Sequence, residues 1–423
     1  MQHGKPSAIP DDGFPLSFRE FLGLVAALMA VNALSIDPML PALPAIGHSL
    51  HVDDANSRQW IITAYFLGLG GGSLLYGPIS DRFGRRPVLL VTISLMIVAT
   101  LACALAQNFA MMLAGRAAAG FFAAASRVIA VSIVRDRFHG DAMARVMSLV
   151  FIVFMLVPVL APSLGQLVLL VAPWRWIFGG LAIVTLAIAA WVALRLPETL
   201  DPAHRISIHP GDLADTIGRV LRNRSSIGYM LASGVVMGPL IGFITSAQQI
   251  FFDVFDAPGL FAIGFALIAG SMVIGSYSNS RLVEKLGARR VSQTAVIAII
   301  VIESVHCLVA YAGMETVASF IGLQALTMIC FALTGSNFGA ISMEPFARGA
   351  GMASSFQTSL TTILSALLGA FIGSMFDGTT LPLSLGFALC SALSLLIVAW
   401  AERWKLFTRP HHGALREPAN APR

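Results

Sequence analysis

Apolar runs of about twenty residues recur along the whole 423-residue chain, and no other feature limits its fold so tightly. A helix crossing the roughly 30 Å hydrocarbon layer of a bilayer needs about 20 mainly apolar residues, because no water is there to satisfy backbone amides. Runs of this kind cover 18–43, 60–77, 87–106, 109–134, 144–171, 176–196, 226–250, 259–277, 291–311, 317–338, 351–375 and 381–400. That makes twelve. With 57% hydrophobic and only 12% charged residues, the chain reads as an all-α integral membrane protein.

The basic residues then orient it. Of the 27 Lys and Arg, Arg116 and Arg127 lie inside a run, and Arg58 and Arg175 fall on one set of connections. The remaining 23 lie on the other side with both tails, which is the bias of loops retained in the cytoplasm. The net charge of +5 is therefore accounted for by topology, and no nucleic-acid partner is expected. The first twenty residues contain Pro15 and three acids but no short apolar core ending in a cleavage site, so the first run is the expected insertion signal. Cys103, Cys307, Cys330 and Cys390 sit inside apolar runs at irregular spacing and read as small packing residues. The nine histidines offer no metal-ligand spacing, and no metal is expected.

The connector 197–225 is the longest, polar and basic, and separates six runs from six. The expected organisation is a tail (1–17), a six-helix bundle (18–196), the linker (197–225), a second six-helix bundle (226–400) and a tail (401–423), with tails and linker cytoplasmic. A weak internal echo relates the halves. Asp81-Arg82-Phe83-Gly84-Arg85-Arg86 follows the second run, and Glu284-Lys285-Leu286-Gly287-Ala288-Arg289-Arg290 follows the eighth. Related halves suit a transporter, in which two bundles rock about a midplane site.

The stretch GPISDRFGRRP, from Gly77 to Pro87, resembles the loop between the second and third helices of the major facilitator superfamily. Gly77 lets helices approach, Gly84 can supply a left-handed turn, Pro87 suits a first helical turn, and Arg82, Arg85 and Arg86 hold the loop inside. Asp81 adds nothing to retention. The resemblance implies that it is a latch, meeting basic residues and the positive end of a helix of the other half, near Gly349-Ala350-Gly351. Asp37-Pro38-Met39-Leu40-Pro41-Ala42-Leu43-Pro44, the stretch RVIAVSIVRDRF from Arg127 to Phe138, Leu160 to Gly165, Trp174 to Phe178 and Leu196 to Thr199 are together similar to drug/proton antiporters of the bicyclomycin and chloramphenicol resistance (Bcr/CflA) type. The fold implied is twelve transmembrane helices in two pseudo-symmetric six-helix bundles. Pro158, Pro162 and Gly165 take the place of that family's antiporter motif, with Ala161 where a glycine is usual. Pro158 and Pro162 read equally as ordinary helix bends.

Ionisable groups within a span cost several kcal/mol unless paired or hydrated, so each is a candidate functional residue. Asp37 lies roughly 9 Å below the rim of the first span and Arg116 roughly 12 Å below that of the fourth, at a rise of about 1.5 Å per residue. The family sets these helices side by side, so the two are expected to meet, with Asp37 the proton carrier because arginine does not release its proton. A static ion pair fixing helix packing is the other reading. Arg127 would snorkel to the inner face or join the Asp81 latch. Glu303 and His306, one turn apart on the ninth span, form either a proton relay or a local hydrogen-bonded pair, and Glu344 reads as a cap or loop acid. Asn32, Tyr65, Phe154, Met155, Gln248 and Gln249 lie on spans the family turns toward its cavity; each could line it or simply pack.

The function implied is proton-coupled export of small amphipathic drug-like molecules from the bacterial cytoplasm across the inner membrane. The expected chain is a monomer without a cofactor, driven by the proton gradient. Export of one metabolite, such as a sugar or an amino acid, is the alternative. An ATP-driven pump is disfavoured because no G-x-x-x-x-G-K-[ST] loop occurs. A membrane-embedded enzyme would need clustered interfacial acids or histidines, and Asp11-Asp12 and Asp53-Asp54 are isolated pairs.

Overall fold

A computed structural model of the chain describes residues 14–52, 54–138, 140–201, 203, 210–346 and 350–408. Helices dominate, in the order α1 (Phe18–Leu34), α2 (Leu43–Ser49), α3 (Trp60–Phe83), α4 (Arg85–Ala104), α5 (Phe109–Arg137), α6 (Gly140–Val171), α7 (Arg175–Arg195), α8 (Pro210–Arg222), α9 (Arg224–Gln249), α10 (Phe261–Leu286), α11 (Ala288–Tyr311), α12 (Val317–Met343), α13 (Ala350–Ser374) and α14 (Leu381–Ala401). Among the described residues, eleven segments are long and apolar enough to cross a membrane, the first running from α1 through α2. The 32-residue α6, with its apolar stretch Leu156–Val171, makes the twelfth. The chain therefore passes back and forth between a tail end, where α1 starts and α14 stops, and a far end.

Local sequence sets the ends. Ser17, Asn108 and Asn223 cap α1, α5 and α9 by accepting amide hydrogens three residues on, and Thr316 and Ser319 cap α12 reciprocally. Proline divides the first span. An α-helix through Pro38 would need its missing N–H to reach the carbonyl of Leu34, where α1 stops, and Pro41 would be needed for the carbonyl of Asp37. The chain instead makes a 3₁₀ turn over Asp37–Ala42 before α2. The single first helix expected over 18–43 is thus corrected to two helices with Asp37 at the break.

The linker also differs from its expected character. Within it α8 forms, and its Val220 is buried with Met230 of α9, Phe346 just past α12 and Ala353 of α13. Polar composition hid an amphipathic helix, because a short apolar stripe on a charged segment leaves the average hydropathy low. Elsewhere the helices run a few residues past their apolar cores at the tail end, so that Asp81 and Arg82 occupy the last turn of α3 rather than a loop.

Candidate functional site

Among the described residues, polar systems gather near the middle of the helices and at both ends. The middle one gathers where α1 breaks. Arg116 of α5 is 1% exposed; its Nε donates to the Ile61 carbonyl at 3.1 Å and Nη1 to the Ser35 carbonyl at 2.9 Å. Its guanidinium lies 4.5 Å from the centre of the Tyr65 ring and 6.0 Å from that of Phe178. The break supplies the Ser35 carbonyl, since a helix end leaves carbonyls without intrahelical partners, while α3 and α7 supply the rest. Tyr65 donates its hydroxyl to Asn32 at 3.2 Å. Two buried donors are left over, Arg116 Nη2 and Asn32 Nδ2.

Asp37 is 5% exposed and, among the described residues, has no ion-pair partner. The expected Asp37–Arg116 pair is not formed: main-chain carbonyls take the guanidinium instead. The level is nevertheless as expected. Gly165, six residues from the end of α6 and so roughly 9 Å deep, sits so close to the Pro38 carbonyl that an added Cβ would stand 1.9 Å from it. That approach gives Gly165 a structural account, while Pro158 and Pro162 lie within an unbroken α6. The side chains of Phe154 and Met155 lie outside the described residues.

At the tail end, the opening motif forms a network inside its own half. Arg85, 2% exposed, meets Asp81 at 2.5 Å and Asp136 at the end of α5 at 3.0 Å, and donates to Ser80 Oγ at 2.7 Å. Glu198, just past α7, accepts the main-chain N–H of Arg85 (2.9 Å) and Arg86 (3.2 Å), capping the start of α4. Arg86 reaches the Ala193 carbonyl, and Arg82 stacks on Phe83. Gly84 turns the chain at φ +98°, where a side chain would be strained.

The second half repeats this arrangement. Gly287 turns at φ +85°, and Arg289 holds Glu344 at the end of α12 (2.8 Å) and Glu402 just past α14 (2.7 Å). Glu344 and Glu402 thus stand where Asp136 and Glu198 stand in the first half. The motif's repetition was legible in sequence; its acidic partners, 51 to 113 residues away, were not. Asp81 also lies level with the other half. Helices α3 and α13 run antiparallel, with Gly77 opposite Ser355, Gly70 opposite Ile363 and Gln59 opposite Gly373. That register puts Asp81 opposite Gly351, in the first turn of α13; Gly349 lies outside the described residues.

At the far end the halves are joined by amides. Gln59 Nε2 donates to Gln249 Oε1 (2.5 Å) and to the Gly373 carbonyl (3.1 Å). Gln249 Nε2 donates to Asn56 Oδ1 (3.1 Å), and Asn56 Nδ2 to the carbonyls of Ser374 and Phe376. Gln166 adds a bond to the Pro258 carbonyl. Gln249 therefore belongs to this clasp, whereas Gln248 is simply buried. Asn56 and Gln59 went unnoticed in sequence because isolated amides near a helix start look like ordinary loop residues. Arg127 lies nearer the tail end of α5 than Arg116 does. Eleven residues from Arg116 and so on the same face of α5, it is exposed where Arg116 is buried, and Arg135 two turns further is exposed as well.

Glu303 and His306 are joined at 3.1 Å, as a local pair requires, and a residue not anticipated completes the cluster: Glu315 Oε1 stands 2.6 Å from His306 Nε2.

Comparison with known proteins agrees with this architecture. The family model described as the Major Facilitator Superfamily matches residues 24–370. An uncharacterized MFS-type transporter, YdgK of Bacillus subtilis, is 33% identical over 348 residues, covering 80% of this chain and 84% of the relative. A bicyclomycin resistance protein homolog of Haemophilus influenzae is 27% identical over 384 residues, 89% and 94% of the two chains. The crystal structure of a D-xylose–proton symporter superposes with a TM-score of 0.69 at 12% identity, over 90% of this chain and 97% of that one. With its twelve spans, paired arginine networks and two related bundles, the chain belongs to the major facilitator superfamily of membrane transporters and fits the bicyclomycin-resistance type that its motifs resemble.

Proposed function

We propose that the protein exports small amphipathic, drug-like molecules in exchange for protons across the bacterial cytoplasmic membrane. The bundles 18–196 and 226–400 rock about the middle site, with the tail end and both termini cytoplasmic. One observation carries the reading: Asp37 is a buried carboxyl at a helix break with no cationic partner among the described residues, while the nearby arginine is satisfied by main chain. A charged carboxylate at that depth needs water or a guest to be stable; a protonated one does not. Protonation and occupation by a guest then exclude one another, which is the condition for exchange. The bicyclomycin-resistance relative supports a drug-like guest. The unused donors of Arg116 and Asn32 favour guests that also carry a hydrogen-bond acceptor.

The test is proton release from the detergent-solubilised protein when a compound panel is added, paired with efflux from vesicles. Asp37→Asn, which imitates the protonated carboxyl, should abolish both the release and pH-driven efflux while leaving room for neutral compounds to bind. Unchanged proton release in Asp37→Asn would place the carrier elsewhere. Release triggered by sugars or amino acids alone would favour the metabolite exporter.

A further inference from the structure

The acid–histidine cluster of the second bundle takes no part in the exchange just described. Glu303 and His306 are fully buried, and so is Thr327 of α12, which donates to Glu303 Oε1 at 2.6 Å. On the other side Glu315 Oε1 faces His306 Nε2 at 2.6 Å, and its Oε2 accepts from the hydroxyl of Thr380, which precedes α14. The chain of contacts therefore runs Thr327, Glu303, His306, Glu315, Thr380. Glu315 lies in the connection between α11 and α12, among the exposed residues of the far end. It is the only part of the cluster near solvent.

Proton counting constrains this arrangement. Each ring nitrogen faces a carboxylate oxygen, so the two contacts need two shared protons, one more than a neutral imidazole carries. With two, the cluster has charge −1; a third on either carboxyl can be donated to Thr327 or Thr380 and makes it neutral. With fewer than two, a ring nitrogen and an oxygen face each other as two acceptors. Among the described residues, no ion pair links a Lys or Arg to these carboxylates. Helices α12 and α14 contain no Asp, Glu, Lys, Arg or His, and their titratable side chains are Cys330 and Cys390. Cys307 neighbours His306 on α11, and Asp377, in the connection before α14, is bonded to Thr379. The basic and acidic residues Arg281, Glu284, Lys285, Arg289 and Arg290 lie at the tail end, thirteen or more residues along α10 and α11, roughly 20 Å away.

What the cluster anchors gives it a role. Thr380 ends the α13–α14 connection, and four residues earlier the carbonyl of Phe376 receives Asn56 of the first bundle. The same short segment is thus held by Glu315 on one side and clasped by the other half on the other. We propose that Glu303, His306 and Glu315 form a second proton-binding site, separate from Asp37, whose occupancy anchors the α13–α14 connection and thereby the far-end seal. Loss of the imidazolium proton releases Glu315 and Thr380, so the seal weakens as pH rises. The proposal borrows from the preceding reading only the identification of the far end with the outside.

The test needs no transport. Spin labels are placed at Val171→Cys and Tyr311→Cys, both exposed at the far ends of α6 and α11, in a variant lacking the four native cysteines. Their separation is measured by pulsed spin resonance in detergent at pH 6 and pH 9. The wild-type background should favour the short distance at pH 6, with the short-to-long ratio falling by about tenfold at pH 9, as expected for losing one charge-assisted hydrogen bond. His306→Gln and the milder Glu315→Gln should remove the pH dependence, and Asp37→Asn should keep it. In parallel, the ring nitrogens of His306 should both be protonated at pH 6 by nitrogen-15 resonance. A wild-type seal indifferent to pH, a pH effect that survives in both cluster variants or vanishes in Asp37→Asn, or a neutral His306 ring at pH 6 would each overturn the proposal. The two cluster variants and their control are compared in the Asp37→Asn background, so titration of Asp37 contributes to neither arm.

Discussion

Removing the arginine from each of the two tail-end networks should have unequal consequences, and the inequality can be worked from burial. Arg85 is 2% exposed, and its partners Asp81 and Asp136 are 26% and 14% exposed. Arg85→Ala leaves two carboxylates facing each other in a poorly hydrated pocket. Deleting one member of a fully buried pair costs about 3–5 kcal/mol; water reaching the acids lowers this to about 2–3 kcal/mol here. Arg289 is 12% exposed, and its partner Glu344 is 51% exposed, while Glu402 keeps the Tyr229 hydroxyl as a donor. Arg289→Ala should therefore cost about 1–2 kcal/mol. Equilibrium unfolding of the purified protein in mixed micelles by added dodecyl sulfate reads both values. A double-mutant cycle between Arg85→Ala and Asp136→Asn should return a coupling of about 1 kcal/mol or more. The reasoning fails if Arg289→Ala costs as much as Arg85→Ala, or if Arg85 and Asp136 prove additive.

Two further substitutions test close approaches. In Gly120→Ala the new Cβ would lie 1.9 Å from the Tyr65 carbonyl, so α3 and α5 must separate. A cost of about 1–3 kcal/mol and loss of efflux through displacement of the Arg116 cage are expected, and wild-type efflux would show that the cage is not needed. In Gly373→Ala the Cβ would meet Gln59 Oε1 at 1.8 Å, breaking the amide clasp. Two or three neutral hydrogen bonds at about 1 kcal/mol each should raise the labelling rate of a far-end cysteine at least tenfold, whereas unchanged labelling would mean that the clasp does not hold the seal.

Much of this molecule is fixed by its sequence through physics that acts locally. A bilayer forces every apolar run of sufficient length to satisfy its own amides, so the spans could be counted from hydropathy alone. Gly84 and Gly287 could be placed because only a residue without a side chain turns comfortably at positive φ, and Pro38 could have been read as a helix stop from the carbonyl it leaves unpaired. Which side chain meets which was beyond such reasoning. Arg116 and Asp37 share a depth, yet the helix break offers Arg116 the Ser35 carbonyl, and a main-chain acceptor already in place prevailed over the expected carboxylate. Gln59 and Gln249 are 190 residues apart and carry no charge, so no pattern marks them until the antiparallel register of α3 and α13 brings their bundles together. Glu315 stands nine residues from His306 across a turn, a spacing no helical periodicity links, and it joins the cluster only because the connection folds back over the end of α11. Depth and span follow from the solvent a segment must satisfy, whereas partners follow from where the packed helices leave a donor without an acceptor.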